Sequence, residues 1–168
     1  AGQQLPDGSW WSATKDGAVI DPTKETHFSA YMAVGVFHHY LVTGNVNFLK
    51  SMWPAVSKGI DYAVSMQAPE GEIFWAKNKD GVVDSMALLT GCSSIHMSIK
   101  CAFAIAEIIG EKRPQWEKAD RLLETAIKNK PDLFNRIKSR FSMDWYYPVL
   151  CGAVTGAEAK KRIDKSWE

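Results

Sequence analysis

Two stretches of the chain are apolar on nearly every helical face. The first runs from about Thr26 to Val42 and carries Phe28, Tyr31, Met32, Val34, Val36, Phe37 and Leu41. The second runs from about Ser85 to Ile109 and carries Met86, Leu88, Leu89, Ile95, Ile99, Phe103, Ile105 and Ile109. A helix that is apolar all round is a buried one. Gly44 and Gly110 follow these runs where a left-handed residue ends a helix. After each stop the pattern changes to an apolar stripe with charges opposite, the 3.6-residue period of a surface helix. Phe48–Met66 holds Trp53, Val56, Ile60, Ala63 and Val64; Pro114–Lys128 holds Trp116, Ala119, Leu122, Leu123, Ala126 and Ile127. A weaker third unit begins at Asp144, passes Pro148 and Thr155-Gly156, and ends in an amphipathic stretch over Ala157–Trp167. The pattern predicts an all-α fold of helical hairpins in a single domain, 1–168, with hairpins at about 26–67, 85–129 and 143–168. Buried helices form an inner layer and amphipathic ones an outer layer. Phe28–Val42 and Met86–Ile109 should then be largely inaccessible, with the Lys and Glu of Gln115–Lys128 solvated. The basic stretch from Asp132 to Met143, with Arg136, Lys138 and Arg140, reads as loop or short helix.

The loops repeat as well. Gln4-Leu-Pro-Asp-Gly8 leads through Trp10 and Trp11 to Lys15-Asp-Gly17. Gln67-Ala-Pro-Glu-Gly71 leads through Trp75 to Lys79-Asp-Gly81, an offset of 63 at the start and 64 at the end. Each copy precedes an inner helix, as expected of a repeat architecture. The chain has seven Trp, seven Phe and five Tyr. Trp10, Trp11, Trp75, Trp145, Tyr146 and Tyr147 sit beside Gly, Asp or Pro rather than inside helices. Aromatics outside the core suit stacking on sugar rings or apolar ligands.

An acid precedes each inner helix: Glu25, Asp84 and Asp144, at spacings of 59 and 60 residues. Such acids cap helices and meet the positive end of the helix dipole. Their neighbours suggest more. Glu25 is followed by His27, Asp144 by Trp-Tyr-Tyr, and Glu72 lies in the second aromatic loop. Carboxylates converging with aromatics in one mouth are what a glycosidase needs. Glu25, Glu72, Asp84 and Asp144 are therefore the catalytic candidates. Trp10, Trp11, His27, Trp75, Trp145, Tyr146 and Tyr147 are the binding candidates. The three acids should share one end of the bundle.

Other polar residues carry less chemistry. His38 and His39 are helical neighbours pointing about 100° apart, which prevents shared metal ligation. Gly91-Cys-Ser-Ser-Ile-His96 falls inside a helical run, not after a strand, so it is no nucleophile elbow. His96 reads as a core histidine. No Gly-rich phosphate loop occurs, and no metal or cofactor is expected. A net charge of +1 argues against nucleic-acid partners. No apolar run is expected to span a bilayer, and no signal peptide is visible. Cys92, Cys101 and Cys151 match no zinc or disulfide framework and read as reduced, buried thiols, which favours the cytoplasm. The opening Ala1-Gly-Gln-Gln lacks an initiator Met and reads as a point inside a longer frame.

The segment Tyr40-Leu-Val-Thr-Gly-Asn-Val-Asn-Phe-Leu-Lys-Ser-Met-Trp-Pro-Ala-Val56, with Ile60-Asp-Tyr62, resembles the hairpin of glucoamylase-type and other six-hairpin glycosidases. Asn45 stands where that family usually has Asp. The likeness covers roughly Phe28–Asp80. Gln4–Trp10 resembles the Gln-Trp repeats of terpene cyclase and prenyltransferase toroids. The chain as a whole, with Ser142-Met-Asp-Trp-Tyr-Tyr-Pro-Val-Leu150, is similar to bacterial proteins described as prenyltransferase-like. These resemblances imply an α/α toroid, of which this chain would form about half. They also imply a carbohydrate-active enzyme, a glycoside hydrolase with paired carboxylates, in which Glu72 is the nearest positional match to the general acid. Two alternatives stay open: a toroid acting on an isoprenoid or other apolar ligand, and a non-catalytic module binding a sugar or a partner. The sequence has no Asp-rich cyclase motif and no zinc triad. A half ring leaves apolar faces open, so self-association is expected.

Overall fold

The computed structural model describes residues 2–138 and 143–167. Arg140 and Ser142 lie outside them, as does Glu168. Among the described residues the fold is mainly α, with six helices: α1 (Thr26–Thr43), α2 (Val46–Val64), α3 (Leu89–Ile109), α4 (Pro114–Asn129), α5 (Tyr147–Leu150) and α6 (Gly156–Ser166). Two small antiparallel sheets accompany them. One pairs β1 (Ala13–Lys15) with β2 (Ala18–Asp21); the other orders β3 (Lys24–Glu25), β4 (Ala76–Lys77) and β5 (Val83–Asp84). The stretch after α4 forms two short 3₁₀ turns, Pro131–Leu133 and Arg136–Lys138.

The helix stops follow the expected chemistry. Gly44 and Gly110 adopt left-handed backbones, and each donates its N–H into the last helical turn. Asn45 opens α2 by accepting from the Phe48 N–H at 3.0 Å. Pro114 and Pro148 each occupy a first turn, where no hydrogen bond is lost. The second inner helix starts at Leu89, not Ser85, because Val83–Asp84 is taken up as a strand and the Met86 carbonyl accepts from Trp75 N. The third inner element is a single turn.

The repeated loop motif clamps the outer helices. The Gln4 amide donates to the Gly8 carbonyl and to the Ala55 carbonyl of α2, each at 2.9 Å. The Gln67 amide does the same with Gly71 and with Ala119 of α4, also at 2.9 Å. Gly8 and Gly71 have φ of 91° and 113°, and each lies against an outer-helix carbonyl, of Lys58 and Leu122 respectively. A methyl at either would collide with that carbonyl, so both conformation and space demand glycine. Gly71→Ala should cost about 2–4 kcal/mol. Gly35→Ala, in mid-α1 with open space around it, should be neutral or stabilising by about 0.5–1 kcal/mol. Urea unfolding of the two variants checks this, and equal midpoints would defeat the clamp.

The inner/outer division holds for one hairpin and fails for the other. α3 is largely buried, and the charges of α4 are solvated. Among the described residues α1 is the more exposed member of its pair: Phe28 is 52% exposed, Tyr31 48%, Leu41 65% and Val42 72%. The expectation that Phe28–Val42 is inaccessible is corrected accordingly. The reason is lateral cover. α1 packs mainly against α2 and α3, whereas α2 is also covered by the Gln4–Gly8 loop.

α3 also revises the membrane reading. Its 21 residues are long and apolar enough to cross a bilayer by length and composition, and 61% of that apolar window is buried against the rest of the chain.

Candidate functional site

α1 and α3 lie side by side with their N-termini together. Their junction is tied by β3–β4–β5, where Glu25 pairs with Ala76 and Ala76 with Asp84. Glu25 and Asp84 thus share one end of the bundle. Asp144 joins them from the third unit, accepting at a single oxygen from the Thr90 N–H at 3.2 Å and the Thr90 hydroxyl at 2.6 Å. A cavity of about 720 Å³ opens at this end. Trp10, His27, Phe28, Tyr31 and Met32 form one wall; Leu88, Thr90, Gly91 and Ser94 form another; Met143 and Tyr147 close the third.

The three acids differ in use. Asp84 is exposed and accepts from the Met86 N–H two residues on, a local turn. Asp144 satisfies a free N–H in the first turn of α3, so it caps in the expected way, but on a helix 54 residues before it rather than on its own. Glu25 precedes α1 and makes no side-chain cap. Its carboxylate turns away to accept from the Ser12 hydroxyl at 2.9 Å and the Trp75 indole N–H at 3.0 Å. The His27 Nε2 stands 3.4 Å from the same oxygen that Trp75 reaches. Glu25 is 13% exposed, and its neighbour His27 lines the cavity. Glu25 itself does not line the cavity; it stands behind His27, and a carboxylate held by two donors beside an imidazole can carry or accept a proton.

His27 is stacked on Phe28 with centroids 4.4 Å apart, and its Nδ1 is buried without a partner. Burial holds its imidazole below the ordinary histidine range, and the Glu25 carboxylate opposes that shift only in part. As pH falls, the unfolded chain therefore takes up this proton before the folded chain does. The stability associated with neutral His27 is complete above the ordinary pKa and declines as pH drops below it. His27→Gln should flatten the acid limb of thermal midpoint against pH between about 7 and 5. An unchanged limb would show that His27 is not the titrating group.

The remaining candidates are scattered. Glu72 stands beside the buried Cys92 thiol on α3, with Oε2 buried and without a partner; it does not line the main cavity. Trp75 and Trp11 do not line it either; the Lys24 ammonium lies 5.5 Å from the Trp11 ring centroid. Tyr147 lines the cavity, its hydroxyl pushed up mainly by burial and also by the neighbouring Tyr31. Trp145 belongs to a separate hollow of about 340 Å³ with Asp144 and Arg162, and Tyr146 packs against it edge-on at 4.7 Å. Sequence reasoning missed Phe28, Tyr31, Thr90 and Ser94 as cavity residues, because they sit in runs read as core. The break Thr90-Gly91 with Ser94 one turn on was the available signal for a polar opening.

His96 is 1% exposed and bound through Nδ1 to Asp120 at 2.7 Å. Burial pushes the Cys92 thiol up to about 12 and Cys151 up to about 11, which keeps both as protonated, unreactive groups. Among the described residues no three His, Cys, Asp or Glu side chains converge as a metal site.

Fold and site together define a helical-hairpin protein with an aromatic cavity at one end and a carboxylate, Glu25, directly behind the lining residue His27. No protein-family model matches the chain. Among curated proteins it is similar to one from Mycolicibacterium hassiacum named MMP endo-(1,4)-3-O-methyl-alpha-D-mannosidase, 48% identical over 164 residues. That match takes in 98% of this chain and 45% of the relative, so the chain spans about half the length of the curated protein it matches.

Proposed function

We propose that the chain is part of a glycoside hydrolase of the α/α-toroid kind that cleaves α-linked, O-methylated mannosides. The observation that carries this is Glu25, an acid at a helix start that does not cap and is instead held by Ser12 and Trp75 against His27, which lines the cavity. The name of the 48% identical relative supports the reaction class. Glu25 serves as the proton-carrying carboxylate. Asp144 opens to the neighbouring hollow and meets the main cavity only through Thr90, with one oxygen engaged and the other without a partner among the described residues; in this reading it is the second carboxylate, reached through Thr90. The neutral His27 limits hydration of Glu25 and offers it an N–H while it is ionised.

The lining suits a methyl ether. O-methylation replaces a hydroxyl donor with an apolar methyl, which prefers Phe28, Met32, Leu88 and Met143 to water. Trp10 and Tyr147 offer aromatic faces to the C–H side of a pyranose, and Thr90 and Ser94 offer hydroxyls.

The test is hydrolysis by the full-length protein of α-1,4-linked 3-O-methylmannan beside the unmethylated polymer. New reducing ends from the methylated polymer, with shortened internal fragments, are expected. Cleavage of neither polymer would overturn the reading. Equal cleavage of both would remove the methyl preference and keep the hydrolase.

A further inference from the structure

Beside the main cavity lies a smaller one of about 240 Å³, lined by Gln3, Trp10, Trp11, Thr14, Gly17 and Val19. Trp10 is common to both, so one indole forms the partition between them. The β1–β2 hairpin forms the outer rim. Its tight turn is set by Asp16 and Gly17, with φ of 50° and 80°.

The internal repeat sets Trp11 beside a bonded counterpart. At the offset of 64 residues, Trp11 corresponds to Trp75. Trp75 is committed: its indole N–H donates to Glu25 at 3.0 Å. Trp116, in the core, donates to Asp61 at 2.7 Å. Among the described residues the indole N–H groups of Trp10 and Trp11 donate to no protein acceptor, and the Gln3 amide and Thr14 hydroxyl have no partner either. Partly buried indoles usually find one. Around one small opening next to the site stand two indoles, Trp11 with the Lys24 ammonium over one face, together with an amide and a hydroxyl. That set matches a pyranose ring, with C–H faces for the indoles and hydroxyls for the polar groups.

We infer that the smaller cavity is a subsite for a further sugar unit of the same chain, with Trp10 between the two units and Trp11 as the platform of the outer one. This rests on the proposed hydrolase reading and extends it. An enzyme that cuts inside a polymer must hold sugar on both sides of the scissile bond, and the relative is named as endo-acting.

The test is calorimetric binding of a short and a long α-1,4-linked oligomer of 3-O-methylmannose to the full-length protein, wild type and Trp11→Ala, with hydrolysis measured alongside. The long oligomer should bind wild type more tightly than the short one, and Trp11→Ala should remove about tenfold of that advantage. Trp11→Phe, which keeps an aromatic face, should recover most of it. Equal losses for both oligomers in Trp11→Ala would overturn the subsite, as would an absence of any length dependence in wild type. So would a fall in thermal midpoint with the length advantage intact, since Trp11 would then serve packing only. Length-dependent binding without hydrolysis would sustain the subsite and sink the hydrolase.

Discussion

Glu25→Gln in the full-length protein should lower kcat on methylated mannan by about 10²–10⁴-fold, the range for losing a positioned general acid or base. The substitution isolates the proton. A carboxamide at this position keeps an acceptor for the Trp75 indole and offers its own N–H to the Ser12 hydroxyl, so the local network can re-form around the same shape. The thermal midpoint should therefore move little. Glu25→Ala should behave differently, because it strands a half-buried indole N–H and opens a gap beside His27; activity and stability should both fall. Trp75→Phe provides a third arm. It removes the donor that orients the carboxylate while leaving the acid in place, so it should reduce kcat less than Glu25→Gln and shift the pH profile. Full activity in Glu25→Gln would remove this residue from the chemistry and return attention to Glu72 and Asp144. Loss of helical circular dichroism in the same variant would make its role structural.

The helices were legible because their signals are local. Gly44 and Gly110 end helices by a backbone conformation that depends on the glycine itself. The Gln-x-Pro-acid-Gly repeat was legible as repetition, but its purpose was not: Gln4 reaches Ala55 and Gln67 reaches Ala119, pairings that no local pattern encodes. The Asp-Gly pairs at 16–17 and 80–81 are hairpin signals that an all-α reading passed over. The acids show the limit most clearly. Glu25, Asp84 and Asp144 occupy equivalent places in the sequence pattern, yet one faces a Trp and a His, one makes a local turn and one caps a helix from across the fold. In the sequence each precedes an inner apolar run, but the helices start at Thr26, Leu89 and Tyr147, at different distances from the three acids. The difference lies in which side chains the fold brings to them. The exposure of α1 is likewise invisible in its composition, because an apolar helix reads as buried whether or not its lateral neighbour is present.

Trp116→Ala should cost about 3–5 kcal/mol, the range for truncating a fully buried aromatic. Trp116 is 0% exposed and sits where three helices meet. Trp53 of α2 lies edge-on at 5.8 Å and Phe103 of α3 at 6.1 Å, while its own helix, α4, supplies the indole. Its N–H donates to Asp61 of α2 at 2.7 Å, and the Arg113 guanidinium lies 5.7 Å from its ring centroid. Truncation removes the partner of both rings and leaves a cavity that backbone held by the Gln67 clamp cannot collapse to fill. Against a total stability of roughly 5–15 kcal/mol for a domain, that is a large share. Trp116→Phe separates the contributions: it keeps most of the volume and loses one hydrogen bond to an exposed carboxylate, so it should cost about 1–2 kcal/mol. Urea unfolding reads both, with a lowered midpoint and an unchanged slope expected. A Trp116→Ala cost below that expected of Trp116→Phe would mean that the two hairpins are not organised around this ring. Because α3 carries Thr90, Gly91 and Ser94 into the main cavity, Trp116→Ala should lower activity only in step with the folded fraction, whereas Glu25→Gln should lower it in a fully folded protein.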